Sequence, residues 1–181
     1  MSTPKVVKEL LERSNRLGSE PRFTNYAGGN TSAKGSVPNP ATGEETTVLW
    51  VKGSGGDLGT LTEPGLAALE LEKFKALKNV YRGVEHEDEM VALFDYCRFG
   101  TSGAAPSIDT TMHGLVPFDH VDHLHPDSII ALATAIDGEK LTRECFGDEI
   151  LWVDWRRPGF QLGLDMAKIA TENPKAKGCI L

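Results

Sequence analysis

Basic residues are in the minority here: 19 Lys and Arg stand against 26 Asp and Glu, a formal net charge of -7. A nucleic-acid binder needs a cationic face to neutralise phosphates, so this balance argues against that class. It still leaves room for a local positive pocket around a phosphorylated substrate. Cysteine is scarce: Cys97, Cys145 and Cys179 are widely spaced and form no C-x-x-C pair. That excludes a disulfide framework or a zinc finger, and reduced, mostly buried thiols are expected. No apolar stretch approaches the roughly 20 residues of a membrane span. No basic start followed by an apolar run marks a secretion signal. Internal repeats, low-complexity segments, a P-loop and a G-x-G-x-x-G fingerprint are also missing. The expectation is a cytoplasmic protein without nucleic-acid or membrane partners. Its 181 residues fit one domain, and a chain of that length buries roughly 70% of its unfolded surface without a staple.

What is present is a mixture of helical and strand patterns. Ser2-Thr3-Pro4 starts a helix whose apolar positions Val6, Leu10, Leu11 and Leu17 recur at helical spacing up to Gly18. Phe23 to Val37 reads as turn and strand. Asn39 to Gly43 is a turn, and Thr46 to Lys52 is a β-branched and aromatic strand. The pair predicts an antiparallel hairpin. Thr62 is expected to cap a helix running to about Leu77, and a second helix should run from Glu87 to Phe99. A short helical turn follows around Asp109 to Leu115, then a strand, then helices Ile129–Ala135 and Leu141–Phe146. Ile150 to Trp155 is a strand, Leu162 to Thr171 a helix, and Gly178 to Leu181 the opening of another strand. Early strands in a hairpin, not in β-α-β units, favour α+β, or a layered α/β/α sheet with antiparallel character. A chain that stops on Cys179-Ile180-Leu181 reads as an N-terminal piece of something longer.

The segment Pro117 to Asp127 holds three of the five histidines. His123-Leu124-His125 is an H-x-H pair, and on a strand residues two apart share a face. Two imidazoles side by side can hold one metal ion, although a catalytic zinc wants three protein ligands. His120 would face the other way on a regular strand, and His113 would have to fold back to join. Asp109 is the candidate acid/base; as a plain alternative, it or Ser107 caps a helix. Tyr26 to Ser32 and Lys52 to Asp57 are glycine-rich segments whose backbone N–H groups suit an anion, or which serve as ordinary turns. Glu85-His86-Glu87-Asp88-Glu89 reads as an acidic helix start favoured by the helix dipole.

In order along the chain, Gly29-Asn30-Thr31-Ser32, Ser54-Gly55, Pro106-Ser107-Ile108-Asp109 and His123-Leu124-His125 resemble the class II aldolase/adducin family. The likeness spans nearly the whole chain. It is nearest to the aldolase half of bifunctional rhamnulose-1-phosphate aldolase/short-chain dehydrogenase proteins. The resemblance implies a three-layer fold with a largely antiparallel central sheet. It implies a zinc-dependent lyase that cleaves a ketose 1-phosphate into dihydroxyacetone phosphate and an aldehyde. Gly29, Asn30, Ser32, Ser54, Gly55 and Ser107 would bind the substrate phosphate, Asp109 would carry the proton, and His123 and His125 would be two of three zinc ligands. Ile108 stands where the family has a phosphate-binding serine, and Asp109 where it has a glutamate. No histidine follows His125, so the third ligand would lie past Leu181. A homo-oligomer, by family analogy a tetramer, and a fused dehydrogenase are further implications. A sugar-phosphate epimerase or dehydratase of the same fold, or a non-catalytic adducin-like module, are the competing readings.

Overall fold

The computed structural model describes residues 3–25, 28–101 and 103–181; Ser2 of the expected helix start and Tyr26-Ala27 of the first glycine segment lie outside them. Helix α1 (Lys5–Gly18) and the short α2 (Pro21–Thr24) precede strand β1 (Asn30–Pro38) and strand β2 (Glu45–Lys52). These two pair antiparallel from Ser32↔Val51 to Pro38↔Glu45, as the hairpin pattern predicts. The turn between them follows the chemistry of its residues. Asn39 Oδ1 accepts from Ala41 N at 2.9 Å, and Gly43 takes φ +75°.

The expected helix from Thr62 to Leu77 is not what forms. Strand β3 (Leu66–Glu70) comes first, and helix α3 covers only Leu71–Ala76. Pro64-Gly65 confines the Thr62 end to one 3-10 turn, Glu63–Gly65. Leu66 to Glu70 then finds a partner in β2, Lys52↔Leu66 through Val48↔Glu70. Sheet pairing outweighs the helical propensity of Leu and Ala, a weak local preference. The helix expected from Glu87 to Phe99 also ends early. Helix α4 (Glu87–Leu93) passes into a 3-10 turn, Phe94–Cys97. Helix α5 (Thr110–Leu115) and strand β4 (His120–His123) follow; then come α6 (Asp127–Ala133), α7 (Gly138–Phe146), β5 (Ile150–Trp152), α8 (Phe160–Glu172) and β6 (Gly178–Ile180).

The main sheet has the order β3-β2-β1-β4, antiparallel throughout, and β5-β6 is a separate parallel pair. Alternation along β2 sends Leu49 and Val51 to one face and Val48 and Trp50 to the other. On the first face they pack with Leu69, Phe74, Phe94, Leu115 and Phe160. On the second they meet Val7 and Leu10 of α1 with Leu58 and Leu61. The layers are therefore α1, the sheet, and the α3/α4/α5/α8 side. Glu87 joins two pieces of that last layer. It is 2% exposed, and its Oε1 accepts from Gln161 N at 2.7 Å in the first turn of α8. A carboxylate there meets free N–H groups and the positive end of the helix dipole.

Candidate functional site

Among the described residues β4 is an edge strand paired with β1 alone, in register Asn30↔His123, Thr31↔Asp122, Ser32↔Val121 and Ala33↔His120. That register brings the start of β1, with Asn30, beside the end of β4, with His123. The strand ends at His123, so His125 lies beyond it and its expected place on the strand is corrected. Its backbone is held instead by His125 N donating to Phe23 O at 2.9 Å. The rings still meet: Nε2 of His125 lies 3.1 Å from Nε2 of His123, with centroids 4.7 Å apart.

Glycines make that approach feasible. A Cβ on Gly28 would lie 2.1 Å from Nδ1 of His125, and one on Gly29 would lie 2.5 Å from the His123 carbonyl. Gly29 also takes φ +96°, where side chains are strained. Gly28 thus clears room for the His125 imidazole and Gly29 for the His123 backbone, roles that the glycine spacing alone did not reveal.

His120 and His113 turn elsewhere. His120 is exposed, with Nδ1 3.1 Å from Arg13 Nη1. Arg13 also donates to Asp122 Oδ1 at 3.1 Å and to Ser32 O at 2.7 Å, bracing β1 against β4. His113 does not fold back toward the pair. It is wholly buried on α5, with Nδ1 2.7 Å from Ser32 Oγ.

Asp109 directly precedes α5, and its carboxylate makes no capping bond there. Turned so that its nitrogen faces acceptors, the Asn30 amide donates to Asp109 Oδ2 at 3.3 Å and to Gly29 O at 2.9 Å, and accepts from Ser107 Oγ at 3.2 Å. Asn30, Ser107 and Asp109 therefore form one cluster. The second glycine loop docks beside it. Ser54 N donates to Ala105 O at 3.0 Å, and Gly55 and Gly56 both have positive φ. Ser54 and Gly55 are exposed.

Ser32 differs from its expected role. It is fully buried, and its hydroxyl is engaged by His113 and, at 3.4 Å, by Val121 O. It does not face an anion site.

The sequence offers Lys52 only as the first residue of the second glycine segment, with no role of its own. This ammonium is 5% exposed and donates to Gly55 O at 2.8 Å and Gly53 O at 3.4 Å. Burial lowers its pKa, while the charges of Asp109 and Asp57 oppose that shift. Its one sequence signal is position: a lysine ending an apolar strand just before a glycine loop.

Burial also lowers the pKa of His123, with Asp109 pulling the other way and His125 adding to the depression. His113 is pushed down to about 3, first by burial and then by the neighbouring His123 and Lys34 charges. Neutral imidazoles are the metal-binding form.

The rings suit a shared cation. Two nitrogens on one tetrahedral zinc at about 2.0–2.1 Å lie roughly 3.3 Å apart, close to the observed 3.1 Å. The set is incomplete: no group of three His, Cys, Asp or Glu side chains able to hold a metal occurs among the described residues. The buried Nδ1 of His123 also has no hydrogen-bond partner among them.

A chamber of about 710 Å³ opens beside the pair. Asp109, His123 and His125 stand in its wall, and Ile108, Met112, Leu162, Met166 and Ile180 make much of the rest. Asn30, Ser107, Ser54 and Gly55 lie outside that wall. No helix among the described residues is long and apolar enough to cross a membrane.

Fold and site together define a three-layer α/β/α protein with a largely antiparallel sheet and a polar site at one sheet end. The model of the class II aldolase and adducin N-terminal domain matches residues 8–181, and the chain belongs to that family. It is 38% identical over 174 residues to YuxG of Bacillus subtilis strain 168, described as an uncharacterized oxidoreductase. That match takes in 96% of this chain and 25% of YuxG, so the chain spans about a quarter of that relative. Among solved structures it resembles the N-terminal class II aldolase domain of a conserved Thermoplasma acidophilum protein. There the TM-score is 0.86 at 24% identity, over 100% of this chain and 82% of the other. YgbL from Klebsiella pneumoniae aligns with a TM-score of 0.62 at 19% identity, over 100% and 76%. At these identities both structures speak for the fold.

Proposed function

We propose that this chain forms the aldolase part of a zinc-dependent lyase. Its reaction would be reversible cleavage of a ketose 1-phosphate, of the rhamnulose 1-phosphate type, to dihydroxyacetone phosphate and an aldehyde. One observation carries the reading: the two Nε2 atoms of His123 and His125 converge at 3.1 Å in the wall that also holds Asp109.

His123 and His125 would hold the zinc, and the family resemblance assigns the third ligand to a histidine. The match to only 25% of YuxG and 82% of the Thermoplasma chain supports a longer protein that brings it. The description of YuxG supports an oxidoreductase part in that longer protein, and family analogy a homo-oligomer. Zinc, when bound, supplies positive charge against the negative charge that develops on substrate oxygens as the C–C bond breaks.

The chain's own residues do the rest. In cleavage the hydroxyl that becomes the aldehyde oxygen would lose its proton to solvent and Asp109 would give one to the carbon freed from the aldehyde; in condensation both transfers run in reverse. Asn30, held against Asp109, Gly29 and Ser107, sets the position of the carboxylate at one end of the sheet. Ser107, Ser54 and the Gly29 and Gly55 backbones surround the phosphate end of the substrate, and the Lys52 ammonium adds positive charge behind the loop. The apolar chamber takes the aldehyde end and keeps water off the reacting carbons.

The test is Asp109→Asn in the full-length protein with rhamnulose 1-phosphate. Zinc content should stay at the native level while release of dihydroxyacetone phosphate collapses. Unchanged turnover would remove Asp109 from the mechanism. Epimerised or dehydrated product in place of the two fragments would favour the sister activities of the fold.

A further inference from the structure

Three elements carry the candidate site: α5 follows Asp109, β1 begins at Asn30, and β4 ends at His123. They meet at one buried point. His113 on α5 sits one helical turn beyond Asp109, and its backbone N–H donates to the Asp109 carbonyl at 3.4 Å. Its Nδ1 lies 2.7 Å from Ser32 Oγ, two residues along β1 from Asn30. Ser32 Oγ in turn donates to the carbonyl of Val121 at 3.4 Å, two residues along β4 from His123. Residues two apart on a strand share a face, and Ser32 and Val121 are directly paired. Each arm from this point therefore ends at a residue of the site.

A carbonyl only accepts, so where the Ser32 hydroxyl donates to Val121 O its oxygen accepts from Nδ1 of His113; in the other tautomer the hydroxyl donates to Nδ1. In both, Nε2 of His113 is a buried polar atom without a partner among the described residues. An orphaned buried polar atom is a standing cost, on the order of 1–3 kcal/mol. We infer that His113 is a positioning residue, locking Asp109 at a set distance from Asn30 and His123 through Ser32. This rests on the reading of Asp109 and His123 given above. His113 touches no reacting atom. It acts by holding the three elements in one register, and a shift of about 1 Å at a reacting group is enough to cost on the order of a hundredfold in rate.

The experiment uses the full-length protein with His113→Leu, His113→Asn, Ser32→Ala and the Ser32→Ala/His113→Leu double variant. Asn keeps an N–H donor near the Nδ1 position and deletes the orphaned nitrogen. For His113→Leu, kcat should fall roughly ten- to a hundredfold while KM moves by less than about threefold. His113→Asn should recover most of the loss. The double variant should be no slower than the worse single variant, since both break one connection. Amide hydrogen exchange, read without substrate, should quicken at β1 and β4 in His113→Leu and stay native at β2 and β3.

A native kcat in His113→Leu, no recovery in His113→Asn, or additive losses would overturn the inference and leave the lyase reading in place. Should the native protein cleave no ketose 1-phosphate, that reading falls. Hydrogen exchange then decides the connection by itself: selective loosening of β1 and β4 supports it, and an unchanged or uniform pattern ends it.

Discussion

Gly28→Ala is the sharpest perturbation of the imidazole pair, because it changes neither ring. The new methyl would lie 2.1 Å from Nδ1 and 2.8 Å from Cγ of His125, and 2.8 Å from the Thr24 carbonyl. Ordinary contact begins near 3.4 Å, so the His125 ring must withdraw by about 3.4 − 2.1 = 1.3 Å. Metal bonds tolerate displacements of only about 0.2 Å. The ring therefore leaves the geometry in which its Nε2 meets that of His123. Disturbing the support of a metal ligand typically costs about 10–100-fold in affinity, and displacing the ligand itself should reach or exceed the upper figure. Global stability should suffer less, about 1–3 kcal/mol, because the His125 side chain can swing aside. The assay is zinc competition against a chromophoric chelator on full-length native and Gly28→Ala protein, with urea unfolding as a control for folding. A variant that stays folded and binds zinc within about threefold of native would refute the reasoning, since that is far less than the expected loss.

Other outcomes follow from the same structure. His113 titrates near 6.5 when unfolded and is held down to about 3 when folded, so below pH 6.5 the unfolded chain binds the extra proton. Stability should then fall as pH drops, by about 1.4 kcal/mol per unit. Between pH 6.5 and 4.5 native protein should lose about 2–3 kcal/mol more than His113→Asn in urea titrations, and parallel losses would contradict the assignment. Glu87→Ala strips the buried acceptor from Gln161 N and should cost about 1–3 kcal/mol in thermal or urea unfolding. Phe74→Ala empties a fully buried ring position against Phe94, 5.1 Å away between centroids, and should cost about 3–5 kcal/mol.

Much of this was legible in the residues. Alternation in Thr46 to Lys52 gives a strand that buries both faces, and Asn39 to Gly43 gives the turn that pairs it. The H-x-H spacing singles out the two imidazoles that meet. The rest depended on partners that no local pattern encodes. Leu66 to Glu70 becomes a strand only because β2 offers an edge. His125 leaves the strand yet reaches His123, since Phe23 O holds its backbone and Gly28 clears its ring. Ser32 resembles an anion ligand in sequence, but its buried hydroxyl is engaged by His113 and the Val121 carbonyl. Lys52 reads as the polar end of a strand until its ammonium is seen folded under the glycine loop.

Zinc content bears most directly on the central claim. Full-length native protein and the His123→Ala/His125→Ala double variant would be purified in parallel and analysed for metal per chain. The account predicts close to one zinc in the native chain and almost none in the double variant, with dihydroxyacetone phosphate release lost alongside it. A double variant that keeps its zinc, or a metal-free native protein that still cleaves the ketose phosphate, would contradict it.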